Sequence, residues 1–401
     1  MSEIIDARAR KILDSRGNET VEVEIFTEYG MGQASAPSGA SKGKTEVLDF
    51  PQGGVDSSLR SFKTKISAKL IGMDSLDQAG IDSLLEKIDG TPNFSEIGGN
   101  LATAISMAVA KASADELGIP LFRYLGGVNY RIPVPLGNVV GGGKHAVNGT
   151  TIQEFLVATH SDDIFTSIKT NAQVHKRIKE IAAKELDIPI GMGDEKAWVL
   201  PFDDEKVLSL IGEVVDEVSS KTGLEIEKGI DLAASNFYSN GSYIYKNGKL
   251  SREEQIDFVE GIVKDRGFTI IEDPFDEEDF DSFAELTKRV GDRALIVGDD
   301  IYTSSASRLE KGIEKGASNA ILLKPNQVGT ISRLLATFHL ARENGMAVVV
   351  SHRSGETTDA FIAHLAVALG AEYIKTGTVG GERIAKLNEL VRIQEEMGVT
   401  R

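Results

Sequence analysis

The chain opens on alternation. Apolar and polar positions swap between residues 4 and 30, and the β-formers Thr20-Val21-Glu22-Val23-Glu24-Ile25-Phe26 predict a strand with one buried face. Gly30, Gly32, Pro37, Gly39 and Gly43 then fall among small polar residues, which predicts a mobile loop. After it the period changes. Val55, Leu59, Phe62, Ile66 and Leu70 step by 4, 3, 4 and 4 and share one helix face. A further helix is predicted from near Asn100 to a stop at Gly118-Ile119-Pro120. This first third reads as α+β. A boundary is expected near Gly126-Gly127, giving an N-terminal domain over 1–127 and a catalytic domain over 128–401.

The remainder has another rhythm. Six short apolar runs each close on polar or charged residues, at Asp231, Glu272, Asp299, Lys324, His352-Arg353 and Lys375. Most are separated by a helical stretch. Ile164, Ile168, Ile178 and Ala182 mark one such stretch; Val207, Ile211, Val214 and Val218 mark another. A strand, a helix and two short loops need about the 23–41 residues that separate those ends. Two more strand candidates, Ile132–Val140 and Ile152–Ala158, bring the count to eight. The expected fold is α/β: a (β/α)8 barrel preceded by a smaller α+β domain.

Composition narrows the function. The 44 Lys+Arg against 61 Asp+Glu give a net charge of −17, which argues against a nucleic-acid partner. The absence of cysteine excludes disulfides, thiolate metal sites and cysteine nucleophiles. No apolar run approaches the roughly 18 residues of a membrane span, and Glu3 and Asp6 stand where a signal peptide is basic, so a soluble cytoplasmic protein is expected.

In a barrel the C-terminal strand ends share one face, where active sites lie. Here they carry Asp231, Glu272, Asp299, Lys324, His352-Arg353-Ser354 and Lys375. A single acid after a strand commonly caps a helix, and the Asp299-Asp300 pair reads as a cap plus a ligand. Six ionisable strand ends in register are a different matter. Three carboxylates make a hard oxygen site suited to Mg²⁺. Two lysines and an arginine beside it point to an anionic substrate and to local positive charge. A lysine near Mg²⁺ and another cation is expected to have a lowered pKa, which suits a general base. The pattern fits proton abstraction next to a carboxylate, with the enolate charge stabilised by a divalent ion. His160, His175, His339, His364, Met192 and Trp198 read as packing or surface residues.

At these residues the chain resembles the enolase family over nearly its full length. The matching segments are Asp14-Ser15-Arg16-Gly17-Asn18, Pro37-Ser38-Gly39-Ala40-Ser41-Lys42-Gly43, Gly142-Gly143-Lys144-His145-Ala146, Gln153-Glu154-Phe155 and Gly193-Asp194-Glu195. Further along stand Ile271-Glu272-Asp273-Pro274-Phe275, Leu323-Lys324-Pro325-Asn326-Gln327, Ser351-His352-Arg353-Ser354-Gly355-Glu356-Thr357 and Ile374-Lys375-Thr376-Gly377. The resemblance implies an irregular barrel with two adjacent strands before the helices. It implies Mg²⁺-dependent, reversible dehydration of 2-phosphoglycerate to phosphoenolpyruvate, a step of glycolysis and gluconeogenesis. Two Mg²⁺ per site are implied, the first on Asp231, Glu272 and Asp299, the second on Ser41. Lys324 matches the base and Glu195 the acid, with Glu154 and Gln153 beside it. Arg353 and Ser354 match phosphate contacts, with Gly39 and Ala40 on the serine loop. His145 matches a histidine that closes over the substrate, Lys375 matches a carboxylate contact, and His352 lies in the pocket. A homodimer or larger homo-oligomer is also implied.

The chain departs from the family pattern in three places. Lys196-Ala197-Trp198-Val199-Leu200-Pro201 follows the acid where Gly-Gly-Phe-Ala-Pro is common, so a cation stands next to Glu195 and either depresses its pKa or faces solvent. Val379-Gly380-Gly381 precedes Glu382-Arg383 without the usual arginine, and Asn236 replaces a common glutamate. Two other readings stand beside this one, the first of them motivated by the altered 195–201 segment. One is a paralogue acting on another 2-hydroxy acid. The other is a non-catalytic interaction protein, to which the Thr400-Arg401 end lends no support.

Overall fold

The alternating start folds as a hairpin, not as one strand. In the computed structural model, which describes residues 2–128 and 130–398, Asp6–Leu13 pairs antiparallel with Glu19–Phe26, and that strand pairs with Met31–Ser35. The break comes at Asp14, whose carboxylate accepts from the backbone N–H groups of Arg16 and Asn18 while Gly17 turns at φ +77°. The third strand occupies the start of the segment read as loop. Helix Gly99–Glu116 lies against this sheet, and a Cβ at Gly32 would stand 1.9 Å from the Ala108 carbonyl oxygen, so only glycine admits the approach. The helical face at Val55–Leu70 is present with a local change. Its central turn, Phe62–Ile66, is wound as a π-helix, and Val55, Phe62, Ile66 and Leu70 are buried. The Thr400-Arg401 end lies outside the described residues.

From Val134 the chain forms a closed eight-stranded barrel, in order Val134–Gly141, Glu154–Thr159, Ile226–Asp231, Ile270–Glu272, Leu295–Gly298, Ala320–Leu323, Ala347–Ser351 and Tyr373–Lys375. Alternate residues point inward, as Leu136, Leu156, Val297, Leu322 and Val349 do. Their strand neighbours, such as Ile296, Ile321 and Val348, pack outward against the helices. The second strand runs antiparallel to both neighbours, whereas the other pairings are parallel. Helices Ile164–Leu186 and Asp204–Thr222 therefore fall together between the second and third strands. No helix among the described residues is long and apolar enough to cross a membrane.

Candidate active site

Reversal of the second strand decides which residues meet. Its first residue, Glu154, stands at the barrel face where the other strands end. The register pairs Glu154 with Asp231 and Asp231 with Glu272, a row of three carboxyls across adjacent strands. Thirteen of the fifteen predicted site residues line one cavity of about 290 Å³: Gly39, Ser41, His145, Gln153, Glu154, Glu195, Asp231, Asp299, Lys324, His352, Arg353, Ser354 and Lys375. Glu272 lies just beneath, bonded to Lys375. Ala40 lies outside the lining, its N–H committed to Ser354 Oγ at 2.6 Å. A larger concavity bounded by Arg16, Lys144, Asp194 and Lys196 shares His145 with this cavity and opens outward. The inner one holds the convergent ionisable groups and is the site.

Two buried lysines organise the carboxyls. Lys375 Nζ lies 2.7 Å from Glu272, 3.1 Å from Asp231 and 3.3 Å from Glu154. Burial opposes its charge, but the three acids outweigh burial and raise its pKa well above the usual value. Lys324 Nζ is bonded to Asp299, whose other oxygen accepts from Gln327 at 2.9 Å. The Lys324 pKa is raised: burial opposes its charge and Asp299 prevails. The lowering expected from the sequence belongs to a lysine beside bound Mg²⁺, whereas here the nearest charge to Lys324 is a carboxylate. Burial and then Asp231 push Glu272 well up. Asp299 is lowered, since Lys324 overcomes the effect of burial.

The donor set suits a hard divalent cation. Asp231, Glu272 and Asp299 offer only oxygen, and Glu272 Oε1 is buried with no hydrogen-bond partner among the described residues. Among the described residues, Asp273, Asp299 and Asp300 also gather carboxylate oxygens within 4.8 Å of one another. Asp273 accepts from the backbone N–H groups of Asp299 at 3.0 Å and Asp300 at 2.6 Å, and so fixes the loop after the fifth strand. Asp300 is a buried neighbour more than a cap, with a pKa pushed up to about 8 by burial and Asp299.

Opposite the lysines lies a proton-sharing group. His145 Nδ1 is 3.5 Å from Glu154 and 3.7 Å from Glu195, and His352 Nε2 is 3.4 Å from Glu195. Arg383, wholly buried, donates to His352 Nδ1 at 2.7 Å, so the ring proton sits on Nε2 and faces Glu195. Asn138 donates to Glu195 at 3.2 Å. Burial lowers His352 to about 4 and also lowers His145, so both are neutral near pH 7. Glu154 is raised well above the carboxylate range by burial and by Glu195. For Glu195 burial works upward, but the Nε2–H of His352 and the charge of Arg383 hold it below that range. Lys196 takes no part in this. It sits at φ +62° with its stem against Gly380, and its carbonyl accepts from His175 at 2.9 Å. His175 stacks on Trp198, as expected of packing residues.

Arg353 joins the N-terminal loop to the barrel. Its guanidinium donates to both oxygens of Glu46, to Asn326 and to the Ser41 carbonyl. Asn138, Arg383 and Glu46 were not singled out from the sequence as site residues. Asn138 carried a signal as a polar residue inside an apolar strand, and Arg383 stands in the Glu382-Arg383 pair compared with the family pattern. The expected local surplus of positive charge is also corrected. Lys324, Arg353, Lys375 and Arg383 face Glu46, Glu154, Glu195, Asp231, Glu272 and Asp299, more acids than cations.

A barrel whose face combines a carboxylate row, buried lysines and an acid–histidine group defines an acid–base enzyme, of the class that makes or breaks bonds next to a carboxylate. The family profile "Enolase, N-terminal domain" matches residues 4–125, and "Enolase, C-terminal TIM barrel domain" matches 129–401. Relatives named enolase include those of Picrophilus torridus and Thermoplasma acidophilum. Each is 52% identical, the first over 98% of this chain and 99% of its own, the second over 98% of both. The enolase of Methanothermobacter thermautotrophicus is 50% identical over all of this chain and 98% of its own. The chain belongs to the enolase family, and its activity is that family's hydro-lyase reaction, phosphopyruvate hydratase.

Proposed function

We propose that this cavity dehydrates 2-phosphoglycerate to phosphoenolpyruvate in glycolysis, and catalyses the reverse, with two Mg²⁺ bound. The convergence of Lys324, Glu195 and the carboxyl row on one buried cavity carries the reading. Asp231, Glu272 and Asp299 would hold one cation and Ser41 a second, and such cations stabilise the negative charge that builds on the substrate carboxylate.

The residues act as follows. Lys324, freed of its proton, takes the proton from C2. Glu195 gives a proton to the C3 hydroxyl, which leaves as water. Glu154 keeps a proton that can pass to Glu195 by way of His145 Nδ1, which lies between the two, while neutral His352 points its Nε2–H at Glu195 without adding charge. Gln153 steadies the acid side through Asp231, at 3.4 Å. Arg353 and Ser354 face the phosphate, with Gly39 and Ala40 of the loop closing against them. Lys375 faces the substrate carboxylate. Loop 36–47, already fastened to the barrel, excludes water and strengthens these fields. We further assign the protein to the cytoplasm, to a homo-oligomeric state, and to a division into domains at 1–127 and 128–401.

The test is the rise in ultraviolet absorbance as phosphoenolpyruvate forms, with Mg²⁺ and with excess EDTA, for wild type and Lys324→Ala. Turnover that needs Mg²⁺ and falls by about 10²–10⁴ in the variant is the expected result. A folded, Mg²⁺-binding wild type without turnover would overturn the assignment.

A further inference from the structure

Glu46 belongs to no motif, yet its carboxylate is buried against the guanidinium of Arg353, 307 positions away in sequence. Oε2 accepts from Arg353 Nη1 at 2.9 Å and Oε1 from Nη2 at 3.2 Å. Oε1 also accepts from the backbone N–H of Gly43 at 3.0 Å, which ties the serine loop's own turn to the same carboxylate. The remaining terminal N–H groups of Arg353 go to Asn326 Oδ1 at 3.0 Å and to the Ser41 carbonyl at 3.2 Å. Only Nε–H is left without a protein acceptor among the described residues. The guanidinium is thus held as a fork with its plane fixed, and Nε–H remains for the cavity. Gly39 presses on the same group: a Cβ there would stand 2.0 Å from Nη2.

From this geometry we propose that Glu46 is a positioning residue. It fixes the orientation of Arg353 toward an incoming phosphate and makes that orientation depend on closure of the serine loop. The proposal rests on the reading of Arg353 as the phosphate contact. It acts in both directions. With the loop closed, Glu46 sets the fork. With the loop open, Glu46 withdraws, and Arg353 loses both its orientation and a buried counter-charge. Phosphate affinity and loop closure then rise and fall together.

The experiment uses Glu46→Gln, Glu46→Asp and Arg353→Gln, with the double variant Glu46→Gln/Arg353→Gln. Three quantities are read: KM and kcat for 2-phosphoglycerate, inhibition or binding of inorganic phosphate, and the rate at which trypsin cuts after the exposed Lys42 and Lys44. Loss of a charge-assisted hydrogen bond to Arg353 corresponds to about ten- to a hundredfold in affinity. Glu46→Gln is expected to raise KM and the phosphate constant together by that factor, to change kcat much less, and to speed cutting at Lys42 or Lys44. Glu46→Asp should recover most of the loss, and adding Glu46→Gln to Arg353→Gln should cost nothing further. Unchanged KM and unchanged cutting would overturn the proposal. So would a loss of equal size in the Arg353→Gln background, or a fall in folded protein with KM unmoved. The phosphate and trypsin readings need no turnover, so they decide the role of Glu46 separately from the identity of the reaction.

Discussion

Replacing Lys375 by methionine removes one ammonium and leaves three buried carboxyls facing one another. In the wild type that ammonium lies 2.7, 3.1 and 3.3 Å from Glu272, Asp231 and Glu154. At an effective dielectric constant of about 20 each is an attraction of about 5 kcal/mol, but the sum overstates the loss, because the acids repel one another and the ammonium is itself desolvated. Removing one partner of a buried ion pair costs ~3–5 kcal/mol, and that is the expected destabilisation. Its pH dependence has a definite sign. Burial and Asp231 already raise Glu272, while burial and Glu195 raise Glu154. Without Lys375 both rise further. A carboxyl whose folded pKa lies above its unfolded value contributes stability that is complete below the unfolded pKa and lost as pH rises through the folded one. Lys375→Met should therefore approach wild type near pH 5 and fall furthest behind near pH 8. Thermal unfolding over that range, in EDTA and in excess MgCl2, reads this directly. A cation that binds the folded carboxyls should stabilise the variant more than wild type. Equal unfolding temperatures in EDTA at every pH, or equal gains with Mg²⁺, would refute the electrostatic account of this residue.

Two other outcomes are expected. Burial holds His352 at about 4, against 6.5 for a free histidine. The stability of its neutral form is present above about pH 6.5 and is lost as pH falls through 4, at most ~3 kcal/mol; denaturant midpoints should drop over that window in wild type and flatten in His352→Gln. Gly39→Ala puts a methyl 2.0 Å from Arg353 Nη2, so it should raise KM for 2-phosphoglycerate about tenfold or more by displacing the guanidinium, with the fold intact by circular dichroism.

The barrel was legible because each strand is an apolar run that stops at an ionisable residue, and strands with helices need a fixed length of chain. Asp231, Glu272, Asp299, Lys324 and Lys375 could be read from that alone. Strand direction could not. Residues 152–158 look the same whichever way they run, and an ordinary parallel strand would carry Gln153 and Glu154 to the far end of the barrel. Only the antiparallel register brings Glu154 beside Asp231, and the family resemblance implied two adjacent strands before the helices without giving their direction. The N-terminal alternation misled for a related reason: period two survives a tight turn, and the turn at Asp14–Asn18 depends on a side chain bonding its own backbone. Glu46 was illegible, and so was the role of Arg383 within its Glu-Arg pair, because their partners, Arg353 and His352, are joined to them by tertiary packing and by no spacing along the chain.

The excess of acids in the cavity favours binding of a cation before an anionic substrate. Four buried cations face six carboxyls, on a chain whose net charge is −17. Burial and acidic neighbours raise Glu154 and Glu272, which lessens the negative charge of the cavity but gives it no net attraction for a phosphorylated acid. A divalent cation on Asp231, Glu272 and Asp299 requires those groups ionised, so its binding must expel a proton. Two consequences are measurable. Calorimetric titration of the wild type with MgCl2, in buffers of different ionisation enthalpy near pH 7, should show proton release. Mg²⁺ affinity should rise as pH increases, because the raised Glu272 must give up its proton to bind the cation. Glu272→Gln should lose the proton release and most of the affinity. A wild type that binds Mg²⁺ with no proton released and a flat pH profile would mean that the carboxyl row is already ionised. The need for a cation would then have to rest on geometry, not on charge.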